Sequence, residues 1–155
     1  MLFAVAIGLH TLAAVIWVGG MFFAHMALRP SVTEMAPADR LGLWRRVLPR
    51  FFLWVWLSIL VLLVTGYGVL LTGYRGGIGG GALHVDVMQA TGLLMMALFT
   101  YMFFGPFKSF KRALAAGEIP DAAASQARIR QIVTINLGLG LFTVFVGAAG
   151  TFVGY

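Results

Sequence analysis

"MLFAVAIGLHTLAAVIWVGGMFFAHMAL", residues 1–28, contains no Lys, Arg, Asp or Glu. A helix rises about 1.5 Å per residue, so about 20 apolar residues cross the hydrocarbon core of a bilayer. Uncharged runs also occupy residues 51–74, 87–107 and 131–155. Together they predict an all-α membrane protein, an antiparallel bundle of four transmembrane helices over about 2–28, 50–72, 84–107 and 131–154. The whole of 1–155 reads as a single transmembrane domain. The first run lacks a basic leading segment and a small-residue cleavage site, so it is expected to stay as a helix.

Composition agrees. Hydrophobic residues make up 61% of the 155 positions and charged ones only 10%, too few to cover the surface of a soluble domain. The absence of cysteine excludes disulfides, thiolate metal sites and covalent c-type haem attachment. A net charge of +6 would suit nucleic acid, but the charge is distributed otherwise. Residues 29–50 hold Arg29, Arg40, Arg45, Arg46 and Arg50, and residues 108–130 hold Lys108, Lys111, Arg112, Arg128 and Arg130. The middle connection has only Arg75. The positive-inside rule then puts loops one and three in the cytoplasm and both termini on the outer, periplasmic side of a bacterial inner membrane. Lipid is the expected environment, and nucleic acid is not expected as a partner.

Within loop one, Leu41, Trp44 and Leu48 recur at helical spacing among arginines, predicting a short helix on the membrane surface. In loop three, the third helix is expected to stop near Gly117 and the chain to restart as helix after Pro120. The middle connection, with six glycines between Gly73 and Gly81, reads as a linker.

The first run also carries two of the three histidines. His10, Ala14, Trp17, Met21 and His25 step by four, three, four and four, so they share one helix face. Polar groups in a membrane helix turn toward the bundle interior, where partners exist. His10 and His25 are about 22 Å apart along the axis and cannot share one ligand. His10, in the outer half, has His84 at the start of the third helix as a histidine partner. Two neutral imidazoles on facing helices can ligate the iron of a b-type haem, with Trp17, Trp54, Trp56, Phe99 and Tyr101 as walls. Copper is the rival occupant. Met21 and His25 lie four apart beside Met26, and Met88, Met95, Met96 and Met102 populate the third helix. Thioethers with an imidazole suit Cu(I). Asn136 is expected to make an interhelical hydrogen bond, and Asp86 to be solvated or to orient a histidine ring. No nucleophile triad, paired carboxylates or phosphate loop is present, so hydrolysis and phosphoryl transfer have no support.

The segments "LHTLAAVIWVGGMFF", "RVLPRFFLWVWLSILVLLVTGYGVL", "FFGPFKSFKRAL" and "RIRQIVTINLGLG" resemble the CopD-like integral membrane family, to which the HemJ-like protoporphyrinogen oxidases are a related branch. The resemblance implies a helical bundle with His10 at the family's first-helix histidine, a position associated with haem in the HemJ-like branch. The CopD name comes from copper resistance and uptake. The HemJ-like His-x-Lys element is His84-Val85-Asp86 here, and no Glu-x-Pro follows Asn136. The leading expectation is therefore a haem b protein in electron transfer, with His10 and His84 as axial ligands and quinone, another membrane redox complex or a second copy as partner. Copper transport or resistance, a protoporphyrinogen oxidase, and an accessory subunit of a larger complex are the alternatives.

Overall fold

The computed structural model describes residues 1–72, 83–150 and 152. The glycine-rich linker expected around 73–81 lies outside them. Every element among the described residues is helical. Four stretches are long and apolar enough to cross a membrane: Leu2–Ser31, Pro37–Leu71, Leu83–Ala115 and Ile119–Ala149. The protein is thus a multi-pass all-α membrane protein, and lipid contacts its outer faces. We number the helices α1 (Leu2–Phe23, continued by a π-turn over Ala24–Leu28 and a short turn Arg29–Ser31), α2 (Pro37–Leu71), α3 (Leu83–Phe104), α4 (Pro106–Ala115) and α5 (Ile119–Ala149).

Packing sorts the helices into two pairs, α1 with α2 and α3 with α5, with α4 folded along α5. Side chains join the pairs. Trp17 of α1 meets Phe99 of α3 edge-on (6.1 Å between ring centres), and Phe52 and Trp56 of α2 meet the same ring at 5.4 and 5.1 Å. Phe103 and Phe107 extend the cluster toward α4. Such edge-to-face pairs contribute about 0.5–1.5 kcal/mol each beyond simple burial. In lipid that matters, because tails are as apolar as the residues they would replace and tight packing must hold the helices together. Gly140 shows how close the approach is: a methyl group there would lie 2.8 Å from Val18 and 3.1 Å from Met95.

Loop one departs from expectation. The second helix begins at Pro37, not near 50, and runs unbroken for 35 residues. Leu41, Trp44 and Leu48 do not lie on a membrane surface; all three are buried in the core that continues through Phe52, Val55 and Ile59. Pro49 sits inside this helix without ending it. It does so at the arginine-rich level, where the Arg50 guanidinium donates back to the Arg46 carbonyl at 3.0 Å. Loop three keeps the expected stop at Gly117, but the third helix breaks at Gly105 before it, and the chain restarts at Ile119, one residue ahead of Pro120. Gly117, at φ 75°, ends α4 with Glu118 N–H donating to the Ala113 carbonyl and Gly117 N–H to that of Leu114, the Schellman pattern that favours glycine.

Candidate functional site

The face shared by His10, Ala14, Trp17, Met21 and His25 does turn inward: Trp17 and Met21 are each 2% exposed, and the other three are half-buried. The two histidines at its ends have similar first neighbours. His10 Nδ1 lies 2.9 Å from Thr65 Oγ1 on α2. The Thr65 hydroxyl spends its single proton on the Val61 carbonyl one turn back, at 2.6 Å. With its proton so placed, the hydroxyl oxygen can accept from the imidazole, which orients the ring against α2. Gly66 leaves the space the ring occupies; a methyl there would lie 3.1 Å from His10 Cε1.

His84 is held elsewhere. Its Cβ and Cγ press on Gly150 at the end of α5, so closely that no side chain fits at position 150. Met88 faces Gly147 of α5, and a methyl at 147 would lie 3.1 Å from its sulfur. Met95 and Met102, buried, follow at seven-residue spacing on the same helix face. Between Met88 and Met95, Thr143 donates to Thr91 at 2.7 Å. Asn136, 2% exposed, donates through Nδ2 to the Met95 carbonyl at 3.1 Å, and its Oδ1 is buried without a partner. The hydrogen bond expected of Asn136 is thus present, made to backbone.

The haem b expectation gains nothing from this geometry. Trp17 lies within the aromatic core against Phe99 and does not line an open slot. Trp54 and Tyr101, expected as walls, are 55% and 64% exposed on the lipid-facing exterior. Asp86 is exposed as well. The two clefts described below reach neither His10 nor His84. A set of three or more His, Cys, Asp or Glu side chains able to hold a metal is also absent among the described residues.

His25 lies in the π-turn Ala24–Leu28, a helix irregularity that recurs at functional sites. The turn faces a small cleft of about 40 Å³, open on one side, lined by Ala24, His25, Arg29, Trp44, Leu48, Phe51, Gln126, Ile129, Arg130 and Val133. Loops one and three therefore meet at one end of the bundle. Thr134 Oγ1, which donates to the Arg130 carbonyl at 2.9 Å, lies 3.5 Å from His25 Nδ1. A second groove at the same end is lined by Ser109, Arg112, Ala113, Glu118, Asp121, Ala124, Ser125 and Arg128.

Comparison with known proteins adds one result. The model of the family CopD, copper resistance protein D, matches residues 45–150, from the middle of α2 to the end of α5. No curated protein and no solved structure matches the chain. The matched span holds Thr65, His84, the methionines of α3 and Asn136; α1 precedes it.

Proposed function

The chain belongs to the copper resistance protein D family, and from that premise we propose that it binds Cu(I) within a cell membrane and passes it between the helices. His10 Nε2 and the Met88 thioether form the receiving pair near the end of the bundle that carries the N-terminus. Met95 and Met102 continue the soft-donor column inward. The observation that carries this reading is an inward-turned His10, held by Thr65 of α2, in a bundle whose third membrane helix aligns Met88, Met95 and Met102 on one face. Imidazole and thioether together favour Cu(I) over harder ions. The metal is cargo, so a few weak donors in sequence suit it better than a closed tetrahedral cage. The basic end, with ten of the eleven Lys and Arg, faces the cytoplasm of a bacterial inner membrane, and copper enters from the opposite side.

The test is Cu(I) competition between the full chain in detergent and a chromophoric Cu(I) chelator. Wild type should take up copper. His10→Ala and Met88→Leu, the latter nearly isosteric, should each weaken uptake by about tenfold or more. Unchanged uptake in both variants would overturn the assignment. Protein that purifies with iron and a Soret band lost on His10→Ala would replace copper by haem.

A further inference from the structure

We propose that the cleft at the π-turn of α1 is a binding site for the phosphate group of an anionic phospholipid. This does not depend on the copper reading. Arg29 follows the π-turn directly, and Arg130 and Gln126 face it from α5 one turn apart. His25 sits between them, its Nδ1 side occupied by Thr134. These groups supply hydrogen-bond donors and at least two positive charges, and no carboxylate lines the cleft. Neither arginine has an ion-pair partner among the described residues. Trp44 and Phe51 belong to the same wall, so the site joins an anion-binding rim to an apolar surface. A free phosphate has no use for that apolar half; an acyl chain does.

The neighbouring groove is an internal control. Arg112 and Arg128 there share the lining with Glu118 and Asp121, so its charges balance. Both sites lie at the same end of the bundle and carry two arginines. Only the cleft at His25 has its positive charge uncompensated against an apolar wall. Proximity of basic side chains to an anionic bilayer attracts lipid generally, and the control separates that general attraction from a site.

The experiment is native mass spectrometry of the full chain in a neutral detergent, titrated in separate arms with phosphatidylglycerol, phosphatidylcholine and inorganic phosphate. Phosphatidylglycerol should be retained as a discrete adduct and phosphatidylcholine much less. R29Q/R130Q should weaken retention by about tenfold or more, R29K/R130K should restore most of it, and R112Q/R128Q should leave it unchanged. Equal losses in the two glutamine variants would reduce the effect to diffuse charge and overturn the site. Inorganic phosphate that binds as tightly as the lipid would overturn the lipid assignment in favour of a soluble anion.

Discussion

The two ends of α1 carry the same pair of side chains in different company. At one end His10 meets Thr65; at the other His25 meets Thr134. In each pair the threonine hydroxyl also reaches a carbonyl one turn back in its own helix. Beyond that they diverge. His10 is pressed against Gly66. His25 opens onto a cleft with two arginines. The lesson is that one histidine–threonine pairing can sit in surroundings of different charge, and those surroundings distinguish the two proposed ligands.

Removing the two threonine hydroxyls is the strongest way to break this comparison. Thr65→Val keeps the shape of the side chain and removes the acceptor that holds the His10 ring. Cu(I) affinity should fall by about 10–100-fold, the usual effect of losing a partner that orients a metal ligand. Thr134→Val should leave Cu(I) affinity unchanged, because His25 is not in the copper column. Equal losses in both variants, read by the same chelator competition, would show that the two ends work as one site.

The space beside the ring provides a finer test. At Gly66 a methyl would lie 3.1 Å from His10 Cε1, a contact the ring relieves by moving a few tenths of an ångström. Gly66→Ala should therefore cost up to about tenfold in Cu(I) affinity, about 1.4 kcal/mol. Gly19→Ala, where nothing lies within 4 Å, should cost nothing. If the two behave alike, the position of the imidazole is not what sets the affinity.

Much of this was legible in the residues, and the exceptions have physical causes. Uncharged runs longer than a bilayer is thick leave little choice of fold, and the four spans emerged from them. The inward face of α1 followed from spacing alone. In loop one the apolar stripe among the arginines is legible as a helix face, but it belongs to the membrane-spanning helix itself. Leu41, Trp44 and Leu48 continue in step to Phe52, Val55 and Ile59, and that unbroken 3-4 spacing was the signal for a single long helix. Trp54 and Trp56 look equivalent as letters, yet only Trp56 stacks on Phe99, because two residues along a helix is more than half a turn. The His25 cleft had no local signature. A π-turn has no reliable sequence mark, and its lining comes from α2 and α5 as well as the end of α1. The side of the membrane that each end faces still rests on the distribution of arginine and lysine.

Asn136 sits between the two ends and gives the smallest expected effect. Its Nδ2 holds the Met95 carbonyl, but its Oδ1 is buried without a partner. Replacing it by leucine removes one interhelical hydrogen bond, worth about 0.6 kcal/mol within a membrane. It also removes an acceptor that was costly to bury, by about 1–3 kcal/mol if truly unsatisfied. These contributions oppose each other, so Asn136→Leu should leave thermal stability in detergent nearly unchanged or slightly raised. A clear drop in stability would mean that Oδ1 has a partner in the folded protein, a water or an ion. Should Cu(I) uptake fall with it, the column runs past Met95 through this amide. Should uptake hold while stability falls, the partner is water, and the path to the His25 end remains methionine alone.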